Sequence, residues 1–227
     1  MIERRHRILD AAERLIRKTG GTDFSVRTLA SVAEVAPATP FNLFSSKEGL
    51  LYALLSRSLD TIISEGLKFK SVNQLFHIVE AATNAVDMFA RDPEFMRPLY
   101  RVLLGVSDDV HRPRFMERSI GYWKTAVATI PDQKLLSTER QRNFLTAAIQ
   151  AQFLGLLEFW VHQEFDDDTF RQHSVYGVLS NIMGLLDPEN KDEMLPLFQK
   201  VIEGRQHFEW RTEANAPALQ RRTSGCQ

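Results

Sequence analysis

The chain has 227 residues, 44% hydrophobic and 25% charged, with a formal net charge of −1. That is globular composition for one large domain or two smaller ones, and it excludes a chain that is basic throughout, so a nucleic-acid binder must concentrate its positive charge locally. The single cysteine, Cys226, cannot close an internal disulfide and points to a reducing, cytoplasmic setting.

No apolar run is read as reaching the roughly 20 residues of a bilayer crossing, and the opening MIERRHRILDAAERL has neither the apolar core nor the cleavage site of a signal peptide. Strand alternation and hairpin turns are missing, and helical spacing runs throughout, so the expected class is all-α. Ile8, Leu9, Ala12, Leu15 and Ile16 form a first stripe, ended by Gly20 and Gly21. Ser25 caps a second short helix with Val26, Leu29, Ala30 and Ala33 facing inward. A stretch with two prolines follows, APATPFNLF. Ser45, with Glu48 three residues on, reads as a capping box opening a fourth helix that joins the first domain to the rest, over about residues 46–68.

Beyond residue 70 the helices lengthen. Leu75–Ala90 should stop at Arg91, ahead of Asp92-Pro93. Further helices are expected over Glu94–Leu104, Phe115–Ile130, Thr138–Gln163, from the Asp166–Asp168 run to Leu186, and over Asp192–Ile202. The acid run suits a helix N-terminus. Residues 206–227 read as a mobile tail.

Three helices before a longer one, with the short connection Glu34-Val35-Ala36, is a helix-turn-helix layout. Val35 would plug the angle between the second and third helices. With Ala36 or Pro37 as the cap, Pro40 falls in the first turn, where a missing N–H costs nothing, so both prolines fit one short helix and stiffen its N-terminal end. Ala38 and Pro40 could touch thymine methyls. Thr39 offers a methyl or a hydroxyl, and Asn42 a base edge or a phosphate. Arg27, Thr28 and Lys47 suit the phosphate backbone. Residues 1–50 carry eight basic and six acidic residues, a local charge of +2, and Arg4-Arg5-His6-Arg7 could form a phosphate-seeking arm.

Arg7-Ile8-Leu9-Asp10-Ala11-Ala12, Gly20, Ser25-Val26-Arg27-Thr28-Leu29-Ala30 and Phe44-Ser45-Ser46-Lys47-Glu48-Gly49-Leu50-Leu51 fall in order over about a quarter of the chain. This pattern resembles the TetR family of bacterial transcriptional regulators. The resemblance implies a homodimer, with a DNA-binding domain over 1–50 and a helical domain over 70–205 that binds a small effector and mates with its twin. It places Thr39, Phe41, Asn42 and Lys47 toward DNA. Phe41 stands where the family usually has tyrosine, so a hydroxyl contact to phosphate is lost. Ala36 and Ala38 replace a usual serine and glycine, and Asn42 stands where histidine or tyrosine is frequent.

In the second half, Met88, Phe89, Met96, Tyr100, Phe115, Tyr122, Trp123 and Phe144 are large and adaptable residues that could line a cavity for a hydrophobic effector. Small residues at Ala148, Ala151 and Gly155, with Phe159, and the next helix's Val175, Leu179, Ile182 and Met183 are expected at the dimer seam. No enzyme is expected. The six histidines lack the His-x-x-x-His spacing of a metal pair, no Gly-x-Ser-x-Gly occurs, and no cofactor is implied. The expectation is a ligand-responsive repressor on a palindromic DNA operator; a helical protein–protein or ligand-binding module without DNA binding is the alternative.

Overall fold

The computed structural model describes residues 2–105 and 108–203; Cys226 and the tail expected to be mobile lie outside these. The described residues form ten α-helices and no strand. The first four are α1 (Ile2–Thr19), α2 (Val26–Val32), α3 (Thr39–Phe44) and α4 (Lys47–Gly66). A 3-10 turn at Gln74–Phe76 leads into α5 (His77–Ala90), α6 (Pro93–Gly105) and α7 (Arg112–Ala128). The last three are α8 (Glu139–Val161), α9 (Asp167–Met183) and α10 (Pro188–Ile202).

Helix ends follow local chemistry. Gly20 takes φ +69° at the end of α1, its N–H closing on the Ile16 carbonyl at 2.8 Å. Thr138 and Gln141 cap each other at the start of α8. The acid run divides its work. Asp166 caps α9 through the Thr169 N–H (2.8 Å), Asp167 accepts from the Trp160 indole (2.7 Å), and Asp168 pairs with Arg171 (2.9 Å).

One continuous core runs from Ile8 to Met194. The first three helices rest on it through α1, which buries Ile8, Leu9, Ala11, Ala12, Leu15 and Ile16 against α4 and α6. In the body, α5 packs on α9, α9 on α8, and α8 on α7 and α6. Phe89 sits at its centre, edge-on to Tyr100 at 4.7 Å and to Trp160 at 5.8 Å.

Two expectations need correction. Helix α8 does have the length and hydropathy (1.4) of a membrane span, because a helix packed against α6, α7 and α9 is apolar on several sides. The capping box at Ser45 is also displaced by one residue. Ser45 takes φ +65°, and Ser46 caps α4 by accepting the Gly49 N–H at 3.0 Å.

Phe89→Ala should remove about 3–5 kcal/mol of unfolding free energy, since the surrounding aromatic rings cannot close the void. Urea denaturation checks this; a loss under about 1 kcal/mol would show that the ring cluster is not tightly packed.

Candidate functional site

The turn between α2 and α3 is built by short-range bonds. The Ser25 hydroxyl accepts the Thr28 N–H at 3.0 Å and opens α2. At its far end Glu34 takes φ +53°, and the Val35 N–H returns to the Ala30 carbonyl at 3.0 Å. Val35 packs against the core at the bend, as its place in the sequence suggested. The Thr39 N–H then closes on the Ala36 carbonyl at 2.8 Å, and α3 begins with Ala38 as its cap. Ala38 supplies no side-chain bond; Pro40 in the first turn removes one of the N–H groups that would need one.

Pro37 is thus outside α3, in the turn before it, and Pro40 is buried. That corrects two expectations: the prolines do not share one helix, and Pro40 faces the core rather than outward. With Phe44 it forms the inward edge of α3. The outward edge carries Ala38, Phe41 and Asn42, all exposed, with Phe41 at 64%, and half-buried Thr39. Arg27 and Thr28 are exposed on the first turn of α2. Lys47 is half-buried with its ammonium 5.3 Å from the Phe24 ring centre.

Two devices that the sequence reading missed hold α3. The Arg5 guanidinium lies 4.4 Å from the Phe44 ring centre and donates to the Leu43 carbonyl at 3.2 Å. Residues 4–7 are therefore part of α1 rather than a free arm, and Arg5 is a clamp. At Gly49 a Cβ would stand 2.2 Å from the Phe44 carbonyl oxygen, so α4 can begin this close to α3 only with glycine there.

In the body, a small cavity of about 30 Å³ lies among Phe89, Tyr100, Phe115, Tyr122 and Trp123. Leu59, Ile62, Ala85, Phe153, Leu154 and Leu157 complete its apolar wall. Its hydroxyls are already engaged. Tyr100 meets Ser58 at 3.0 Å, and Tyr122 donates to the Ala81 carbonyl at 2.6 Å. Burial holds both phenols well above the ordinary tyrosine range. Three expected members are elsewhere. Met96 is buried outside the lining, Met88 lines a separate surface recess, and Phe144 is 66% exposed on α8. Among the described residues no three His, Cys, Asp or Glu side chains are grouped to hold a metal ion.

The expected seam also divides. Ala148, Ala151 and Gly155 are exposed on one face of α8, with Phe144 beside them and Phe159 half-buried. Val175, Leu179, Ile182 and Met183 of α9 are buried within the protomer instead, where α9 meets α5 and α8. Beyond its first turn, the exposed residues of α9 are Tyr176 and Ser180. An all-round apolar pattern does not tell which side faces its own chain.

Residues 8–54, spanning the geometry from α1 to α4, match the family model described as "Bacterial regulatory proteins, tetR family". The HTH-type transcriptional repressor KstR of Rhodococcus jostii (strain RHA1) is 32% identical over 102 residues, 45% of this chain and 48% of that protein. The matched part thus spans about half the length of that curated relative. The fold is that of a TetR transcriptional regulator from Rhodococcus sp. RHA1 (TM-score 0.65, 14% identity, 79% of this chain and 96% of that one). It is also that of SmeT, the repressor of the Stenotrophomonas maltophilia multidrug efflux pump SmeDEF (TM-score 0.60, 15% identity, 82% and 92%).

Residues 8–54 thus carry the N-terminal pattern of the TetR family, on a fold shared with TetR-family regulators.

Within this TetR-like fold the α3–α4 junction brings backbone against backbone, and it yields a direct test. Gly49→Ala should destabilise the protein by about 1–3 kcal/mol, because the added methyl meets a backbone oxygen rather than a side chain that can swing away. Thermal and urea denaturation read the change; an unaltered midpoint would show that the junction can relax.

Proposed function

We propose that the protein is a ligand-responsive transcriptional regulator, a repressor acting in the cytoplasm. It binds a palindromic DNA operator as a homodimer and is released by a small hydrophobic effector. The reading domain is residues 1–50, the effector and dimer domain is 70–205, and α4 joins them. The observation that carries this is the division of α3. Pro40 and Phe44 are committed to the core, while Ala38, Thr39, Phe41 and Asn42 are left facing out on a helix too short to have another use. Kinship with KstR, whose name is that of a repressor, supports the sign of the regulation.

In this reading the N-terminal part of α3 enters the major groove. Asn42 and Thr39 contact base edges, while Ala38 and Phe41 make apolar contact. Arg27, Thr28 and Lys47 take phosphates, with Pro37 stiffening the approach. Two copies mate through the exposed face of α8, where Ala148, Ala151 and Gly155 permit close approach and Phe144 and Phe159 supply apolar area. An effector entering between α4, α5, α7 and α8 shifts the dimer to a head spacing that no longer fits the operator.

Sites selected from a random DNA pool supply the operator for the tests. Thr39→Ala with Asn42→Ala should weaken operator binding by on the order of tenfold to hundredfold, with helix content unchanged. Lys47→Ala should cost less, equally on all sequences, and reduce the salt slope by about one. Unchanged affinity in the double variant would reject this reading face.

Ala151→Arg should convert a dimer to a monomer in sedimentation equilibrium without changing helix content, since residue 151 is exposed in the protomer. A variant that remains dimeric would move the seam away from α8.

A further inference from the structure

A second recess, of about 550 Å³, opens between the reading domain and the body, and its volume is that of a small-molecule site. Its walls come from α1, the α3–α4 junction, the length of α4 to Asp60, and the start of α7. Four arginines and two histidines line it against a single carboxylate, Asp60. Most of that charge has an internal partner. Arg57 pairs with Asp10 and Glu13, Arg118 pairs with Asp60, and Arg5 is held at Phe44 and the Leu43 carbonyl. Arg114 is exposed and makes no hydrogen bond or ion pair among the described residues, and the same holds for His6 across the cleft. The buried Tyr52 ring also lines the cleft, stacked on His111 at 5.5 Å, with its hydroxyl turned inward toward Arg112. An uncommitted guanidinium on the rim of a recess is a group that an anion can serve.

The floor of this cleft is apolar, and one residue of it has two faces. Phe115, 3% exposed, lines both the charged cleft and the inner aromatic cavity. On one side of its ring is a wide cationic space. On the other is an apolar space of about 30 Å³, room for about one water, whose tyrosine hydroxyls are already bonded. A purely apolar guest finds no open route to the inner space, and a purely polar anion has no use for it. A molecule with both parts uses the two together.

We propose that the interdomain cleft binds an amphipathic monocarboxylate, with its head at Arg114 and its apolar tail displacing the Phe115 ring to enter the inner cavity. Such a ligand touches α1 and α7 at once, so its arrival changes how the reading domain sits on the body. The binding stands on the cleft itself; its role as the effector site rests on the regulator reading above.

The probes are n-alkanoates from hexanoate to palmitate, each against the n-alkanol of the same length, below their micelle concentrations. Titration calorimetry on the full chain reads the affinity. At the best-fitting length the carboxylate should bind about tenfold more tightly than the alcohol. Acetate, which has the charge without the tail, should not bind measurably. Arg114→Ala should bring the carboxylate down to the level of the alcohol, while Lys124→Ala, an exposed change on the same helix outside the cleft, leaves the ratio intact. Phe115→Trp, which fills the passage, should weaken both probes. Equal affinity for acid and alcohol at every length, absence of binding throughout the series, or a ratio that survives Arg114→Ala overturns the proposal. Operator binding by the ligand-free protein is scored separately. DNA binding without the carboxylate preference refutes the cleft alone, and the preference without DNA binding refutes the regulator reading alone.

Discussion

A helix of six residues has no stability of its own, and the outer surface of this protein depends on holding one in place. Nucleating a helix costs more than one turn of hydrogen bonds returns, so α3 must be fixed by tertiary contacts. The inward side does this with three kinds of contact. Pro40 and Phe44 are buried, Arg5 caps the far end from α1, and Gly49 lets the next helix begin against the Phe44 carbonyl. Each has its own chemistry: apolar burial, a charge on an aromatic face, and a missing side chain. The outward residues Ala38, Phe41 and Asn42 are exposed and take no part in these contacts.

The same economy extends to how the reading domain meets the body. Helix α4 is the covalent path, and α1 adds a non-covalent one by packing on α6 as well as α4. Arg17 on α1 bonds Asp92 at 2.5 Å just before α6, and Arg57 on α4 reaches back to Asp10 and Glu13 of α1. Partly exposed pairs of this kind contribute about 0–1 kcal/mol each, so they add little stability. Their effect is orientational. Burial of Ile8, Ala12 and Ile16 supplies the attraction, and the ion pairs select one rotation of α1 against α4 and α6. An attraction that is apolar and an orientation that is polar can be changed separately.

Much of this was legible in the sequence, and the failures share a cause. Local rules held where one residue acts on its neighbours. Ser25 caps α2, Gly20 ends α1, Asp92-Pro93 ends α5, and Val35 sits at the bend. The Ser45 and Ser46 exchange is a local rule misapplied by one residue, since two adjacent serines offer the same hydroxyl and only the backbone at φ +65° decides between them. Phe144 and the α9 residues failed for a different reason. On α8 and α9 apolar side chains occur all round, so periodicity carries no direction, and the sequence cannot say whether a given side meets the same chain. Arg5 was out of reach for a third reason. Its role depends on a partner from another helix, Phe44, and such a pairing is set by the assembled fold.

The narrowness of the inner cavity bears on how the molecule can switch. A preformed empty chamber would admit a guest without moving its walls, and nothing would reach the reading domain. Here the space is about 30 Å³ and Phe115 belongs to the ring cluster around Phe89, meeting Tyr100 edge-on at 6.2 Å. A close-packed interior is not continuously deformable; it passes between discrete arrangements. A guest that moves Phe115 must move Tyr100, whose hydroxyl is held by Ser58 on α4, the helix that begins at the α3 junction. A displacement of Phe115 thus reaches α4, and through it the α3 junction, by way of Tyr100 and Ser58 as well as Leu59 and Ile62, and tight packing around them makes a local displacement costly enough to be shared along α4 instead of being absorbed where it arises.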